Sequence, residues 1–375
     1  MRSNAILPAC LLLAAGCVRS EVPITPCSEA CEPIVVDARD PITFTGRATD
    51  DFFDFFEPVE IVRWGDRTAT CSGVQGLAIY RADDPERMRL LTSLRPDPVA
   101  SFARCQHLTF RDDWVFVTNR GDELSLRSSI AVIDMAQPLS PRRLDLFHDE
   151  TASFEGVAVT GDTVYVAQHE RGLRVFDLSS VGALTSVRSV TEGLQNAWKP
   201  VVDGDRLFVA DAQGGFAIFD ISERRRPRFV GRASTDGIIK TLVVRNELVY
   251  AAAGTAGIEV FDVSDPIVPL LVRRIDTDGS AGGLAIEDDI MVVADWNEVL
   301  AYRLTDPRDP TRIGAQKAYD RQGRPDALGR ILDVALEDGL IYMAEWTSLQ
   351  AHRIVANASA PDLNTASFFE FERTA

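Results

Sequence analysis

The chain has 375 residues, a formal net charge of −17 and a sequence pI of about 4.7. An acidic balance of that size argues against nucleic acid and anionic lipid surfaces as partners, because both demand a basic face. A hydrophobic content of 46% and a charged content of 25% are those of a soluble globular chain.

In chain order, Arg2 and then the apolar stretch Ile6 to Ala15 have the make-up of a signal peptide, too short to span a bilayer as a helix. The stretch ends L-L-L-A-A-G-C at Cys17. This resembles the lipobox of bacterial lipoproteins, with Ala14 where leucine is more usual. The resemblance implies a signal peptide over 1–16 and a diacylated Cys17. Val18 follows the cysteine where an aspartate would imply inner-membrane retention, so the implied address is the outer membrane, on its periplasmic or cell-surface side. The acyl chains would supply the membrane affinity. An ordinary signal peptide cut nearby is the competing reading.

Of six cysteines, Cys10 leaves with the signal and Cys17 takes the lipid. Cys27, Cys31, Cys71 and Cys105 remain for disulfides in an oxidising compartment, with three connectivities open. The preferred reading pairs Cys27 with Cys31 beside the anchor and Cys71 with Cys105 as a staple. The C-x₃-C also reads as half a metal site, but no second cysteine or histidine pair stands near it. Residues 17–59 form an anchored N-terminal segment. Within it, Phe44 to Asp50 (F-T-G-R-A-T-D) echoes Phe229 to Asp236 (F-V-G-R-A-S-T-D). The run Phe52 to Phe56 has no such counterpart; it reads as a rim cover or as a partner patch.

From residue 60 a phrase recurs. G-L-R-V-F-D-L-S ends at Ser179, G-F-A-I-F-D-I-S at Ser222 and G-I-E-V-F-D-V-S at Ser264, with a looser S-I-A-V-I-D-M-A ending at Ala136. Asp134, Asp177, Asp220 and Asp262 fall at steps of 43, 43 and 42, and degenerate copies surround Arg81, Arg303 and Arg353. Seven copies of such a period indicate a stacked or radial repeat. Each unit resolves into four short runs rich in Val, Ile, Phe and Tyr, separated by Gly, Asp and Pro turns, which read as hairpin strands. The turn between the first two runs is polar throughout, as in Gly161-Asp162, Asn246-Glu247 and Asp338-Gly339. Those residues tolerate the positive φ that tight hairpins require.

Four strands per unit, seven times, predict an all-β, seven-bladed β-propeller of four-stranded antiparallel blades over 60–375. The blades fall at about 60–103, 104–150, 151–192, 193–235, 236–279, 280–326 and 327–375. An N-terminal strand from the echo region, or the C-terminal Phe368 to Glu372, would complete the last blade and hide both free edges; the echo favours the N-terminal strand. The Y-V-A strand, the G-L-x-V-x-D-V-S strand and the D-P-x-x-P turn resemble the LVIVD-type propeller repeats of secreted bacterial proteins. The resemblance implies the fold and little about activity.

In such a blade the innermost strand begins on the face that also receives the turn between strands two and three. The side chains expected there are Gln106, His107, Glu155, Asn196, Trp198, Lys199, Lys240 and Arg330 from the strand starts. From the turns come Asp295, Trp296, Glu345 and Trp346, with Arg120, His169 and Asp211 beside them. These twelve named first are the candidate ligand-binding residues. Trp296 and Trp346 occupy equivalent positions; they suit peptide or saccharide contact, or pack between blades. The run Arg224-Arg225-Arg226 falls on the opposite face and reads as solvated.

Glu155 and Asn196 with His107 would serve a metal-dependent lactonase or related hydrolase, but Lys199, Lys240 and Arg330 repel a cation there. The four histidines share no ligand spacing, and no G-x-S-x-G, H-E-x-x-H or phosphate loop is present. The expectation is a monomeric, non-catalytic, cofactor-free binding scaffold. Its partner would be a protein or glycan of the cell envelope, with the lactonase-type enzyme as alternative.

Overall fold

The computed structural model describes residues 42–48, 60–72, 76–82, 88–94, 104–120, 128–317, 330–345 and 348–354. Seven four-stranded antiparallel sheets follow one another around a ring. Blade 3 shows the plan: Val157–Thr160 innermost, then Thr163–Ala167, Leu173–Leu178 and Leu184–Val190 outermost. No helix occurs among the described residues.

Burial explains the composition of each strand. The second strand of blade 3 is buried at every position, and the outermost strand is largely exposed. A strand sandwiched between two neighbouring blades has no solvent face, so it reads as a continuous apolar run rather than an alternation. The core is accordingly divided between blades. Phe116, Ile130 and Val132 of blade 2 pack with Phe154, Val164 and Phe176 of blade 3, and the other clusters repeat this scheme.

The hairpin turns behave as their residues demand. Gly161 (φ 55°), Asp288 (φ 47°), Asn246 (φ 50°) and Glu247 (φ 60°) adopt the left-handed region at the first turn of their blades. In each of the first six blades the third and fourth strands carry a β-bulge at the same place, as at Val175/Phe176 and Val260/Phe261. The bulge adds local twist, which a blade needs to fan outward from the axis. The recurring aspartate ends the third strand and folds back on the turn: Asp220 Oδ1 accepts from Ser222 N at 2.8 Å, and Asp262 Oδ1 from Ser264 N at 2.9 Å. The repeat's signature residue is thus a turn former.

The Y-V-A tyrosines tie one blade to another. Tyr165 Oη donates to the Arg224 carbonyl at 2.7 Å and Tyr250 Oη to the Pro307 carbonyl at 2.8 Å. Tyr250→Phe is expected to lower stability by about 1 kcal/mol in urea denaturation, the worth of a half-buried neutral hydrogen bond. The three arginines of the run in the turn of blade 4 are exposed, as read from the sequence. Arg225 reaches Asp177 at 2.5 Å and Asp162 at 3.2 Å in blade 3, so it serves the seam between blades.

The ring is closed by the N-terminal strand Ile42–Ala48, which pairs antiparallel with Ser348–Ile354 as the fourth strand of blade 7. Blade 7 then packs on blade 1, with Tyr342 and Leu349 against Ile61 and Tyr80. Arg63 Nε donates to Glu337 Oε2 at 2.6 Å across the same seam. Cys71 and Cys105 are joined by a disulfide between blades 1 and 2. Cys17, Cys27, Cys31, Phe52 to Phe56 and Phe368 to Glu372 lie outside the described residues.

Candidate functional site

A repeated backbone device builds the loop face. The turn between strands two and three places one residue at positive φ: His169 (49°), Ala212 (36°), Gly254 (58°) and Trp296 (63°). Each of these pairs with the residue preceding or opening the next blade's inner strand: Ala197, Ile239, Ala281 and Ile331 respectively. The bridge fixes where that inner strand begins. The two residues after each bridge are therefore equivalent around the ring: Trp198-Lys199, Lys240-Thr241, Gly282-Gly283 and Leu332-Asp333. Buried carboxylates steady the loops behind them. Asp211 accepts from Gln195 N and Asn196 N, just ahead of Trp198, and Asp295 accepts from Thr277 Oγ1 and Gly279 N.

At the axis the inner-strand starts converge on an ionic cluster. Glu60, 2% exposed, lies 2.6 Å from Lys199 Nζ and 3.1 Å from His107 Nδ1, and accepts from Leu108 N. Glu60 belongs to blade 1 and Lys199 to blade 4, so this ion pair spans the centre of the ring. Asp333 of blade 7 accepts from Ile61 N at 3.0 Å. A Cβ on Gly283 would come within 2.1 Å of Asp333 Oδ1; only glycine fits there. Gly282 meets no side chain at all, and its bareness leaves open space in blade 6 where blade 4 has Trp198.

The environment drives the two carboxylates apart. Burial alone would raise Glu60, but the Lys199 ammonium and His107 outweigh it and hold its carboxyl at about 2. Burial raises Asp333, Lys199 only partly offsets this, and Glu60 pushes in the same direction as burial, leaving it at about 6. Lys199 is correspondingly raised: burial opposes its charge, and Glu60 and Asp333 more than compensate.

Above this floor lies a cavity of about 430 Å³. Its upper wall holds two indole–cation pairs. Lys240 Nζ sits 4.3 Å from the centre of the Trp198 ring, and the Arg330 guanidinium 5.2 Å from that of Trp296, which is 40% exposed. Thr255, Ser280 and Gln106 contribute hydroxyls and an amide.

Of the candidate residues read from sequence, Gln106, His107, Trp198, Lys199, Lys240 and Trp296 come together at this cavity, and Arg330 packs at its edge. Four others do not line it. Glu155 is fully buried and bonded to His169 Nε2 at 2.6 Å. Asn196 belongs to the Asp211-held loop, Asp295 is itself a loop clamp, and Glu345 is buried at the end of a strand. Trp346 lies outside the described residues. Sequence reading missed Glu60 and Asp333. Glu60 opens its inner strand just before Ile61, and Asp333 stands before Val334 within its own, as His107 stands before Leu108; that alignment was the available signal.

The LVIVD repeat family matches residues 153–192, 196–235 and 236–277, which are blades 3 to 5. None of the curated proteins matches the chain. Among solved structures, Raptor of Chaetomium thermophilum superposes with a TM-score of 0.65 at 12% identity, over 86% of this chain and 30% of that one. This chain thus spans under a third of Raptor's length. The β-propeller domain of Cps50 (Swd1) from Myceliophteria thermophila gives 0.64 at 14% identity, over 84% of this chain and 100% of that one. U3-55K gives 0.63 at 11% identity, over 85% and 99%. Identities this low speak for the fold alone. Blades 3 to 5 are LVIVD repeats, and they stand in a closed seven-bladed β-propeller.

Proposed function

We propose that the protein is a non-catalytic binding propeller that engages a protein or glycan partner of the bacterial envelope through the loop-face cavity. A lipid on Cys17 would hold it at the outer membrane. The observation that carries this reading is the cavity itself: an aromatic and cationic wall over a floor in which Lys199 is already paired with Glu60. A concave site with indoles and a few placed polar groups is suited to capture.

The lactonase-type reading needs a hard cation held by converging carboxylates and neutral donors. Here the Lys199 ammonium already sits against Glu60, the position such a cation would need. The donor set therefore favours binding over metal-assisted hydrolysis.

Two experiments bear on the proposal. Crosslinked envelopes should yield a partner with the native protein and lose it with Trp198→Ala plus Trp296→Ala; an unchanged capture would move the binding surface off this face. Labelling with radioactive palmitate should mark the native protein and not Cys17→Ser, which should appear in the soluble fraction. A Cys17→Ser variant that stayed with the membrane would remove the lipid anchor from the proposal.

A further inference from the structure

Lys240 stands apart from the other basic groups of the cavity. Lys199 has Glu60 at 2.6 Å, but no carboxylate among the described residues lies within salt-bridge distance of Lys240 Nζ. Its ammonium faces the Trp198 ring at 4.3 Å. Glu155, whose charge reaches it, is held by His169 Nε2 at 2.6 Å and by Arg120 Nε at 3.5 Å. Desolvation pulls Lys240 below its ordinary value, so it gains from an anion delivered to it. Around it the wall offers two kinds of surface: the indoles of Trp198 and Trp296, and the hydroxyl, amide and carboxylate groups of Thr255, Ser280, Gln106 and Asp333.

Resting on the reading of this cavity as the binding site, we propose that it takes a carboxylated saccharide. The acid group would be received by Lys240, which with His169 already packs on the Trp198 ring, and the pyranose ring would lie against the exposed indole of Trp296. The recognition is division of labour. The apolar C–H face of a pyranose stacks on an indole, whose π-face is electron-rich. Ring hydroxyls both donate and accept, which matches Asp333 as acceptor and Ser280, Thr255 and Gln106 as either. A carboxylate adds a charge-assisted hydrogen bond that a neutral sugar cannot make. The net charge of −17 would repel an acidic ligand elsewhere on the surface, so a locally cationic mouth provides selectivity of place. The two sources of such an acid are a uronic acid unit, with the carboxylate on the ring carbon chain, and a muramic acid unit, with it on a lactyl ether.

The test is titration calorimetry with galacturonic acid and N-acetylmuramic acid, against galactose, N-acetylglucosamine and acetate. The acids should bind about tenfold more tightly than their neutral counterparts, the effect of one charge-assisted hydrogen bond, and acetate should bind far more weakly than either. Which acid binds better assigns the source. Lys240→Met should abolish the preference for the acid over its neutral counterpart, while Trp296→Ala should weaken both and keep the preference. An equal preference in Lys240→Met, or neutral sugars binding as well as acids to the native protein, would overturn the proposal. If none of the sugars binds but envelope capture still depends on Trp198 and Trp296, the ligand class falls and the cavity reading survives. If capture is also indifferent to those tryptophans, both fall together.

Discussion

Glu60→Met is expected to destabilise the propeller by about 3 kcal/mol, the low end of the cost of stripping one partner from a buried ion pair. Glu60 is 2% exposed, accepts from Lys199 Nζ and Leu108 N, and lies 3.1 Å from His107 Nδ1. Its removal leaves the Lys199 ammonium without its closest counter-ion and the Leu108 N–H without an acceptor. The Lys199 side chain is 24% exposed, so water entering the cavity recovers part of the loss, and Asp333 recovers more.

The double variant Glu60→Met with Lys199→Met should be more stable than Glu60→Met alone by about 1 kcal/mol or more, because it removes the uncompensated ammonium, while the Leu108 N–H stays without its acceptor. The resulting cycle isolates the pair from its neighbours. Urea denaturation of the four proteins reads the result directly. Should the single variant unfold at the native denaturant concentration, the bond across the ring is not holding the blades in place, and the floor of the cavity must be redrawn.

The architecture was legible because it is periodic. Once Asp134, Asp177, Asp220 and Asp262 set the interval, the strands between them had to bury apolar faces against copies of themselves. The end blades were harder to read. Ile42–Ala48 joins blade 7 across some three hundred residues of chain, and only its echo of Phe229 to Asp236 pointed there.

Position on the loop face was readable too, but side-chain direction was not. Glu155 and Asp295 begin or end strands on that face, as expected, and then turn inward to hold His169 and the 277–279 loop. Whether a carboxylate faces a cavity or a backbone N–H depends on the loop closing over it, and loop conformation is set by contacts between blades. Glu60 was missed for a related reason. Its partner Lys199 is 139 residues away and meets it only when the ring is closed, so nothing local marks it as paired. The arginine run 224–226 is exposed, as read; what nothing local shows is that Arg225 meets Asp162 and Asp177 of the neighbouring blade.

The same cluster predicts a stability maximum on the acid side of neutrality, at about pH 4–5. The two carboxylates act with opposite signs. Glu60 titrates at about 2 in the folded protein against 4.5 for the free group. Its contribution is present above pH 4.5 and is lost as pH falls toward 2, about 3 kcal/mol in all at 1.36 kcal/mol per pH unit. Asp333 titrates at about 6 against 3.8. The folded state holds its proton where the unfolded state has released it, so stability declines as pH rises from about 4 to 6. Burial raises Asp211, Asp295 and Glu298 as well, which deepens that decline.

Asp333→Asn keeps an oxygen for the Ile61 N–H and removes the titration. It should flatten the limb between pH 4 and 6, and leave the variant more stable than the native protein at pH 7.5 and nearly equal to it at pH 4.5. Urea midpoints at pH 3, 4.5, 6 and 7.5 for both proteins measure this. A native profile that rises steadily from pH 4.5 to 7.5, unchanged in Asp333→Asn, would mean that Lys199 neutralises Asp333 as fully as it does Glu60. Asp333 would then stay ionised across this range, the charge of the floor would not vary, and the affinity of an acidic ligand should not change between pH 5 and 7. If Asp333 titrates as described, an acid's affinity should instead rise as the pH falls through 6, because each proton taken up by Asp333 removes a negative charge from beneath the ligand.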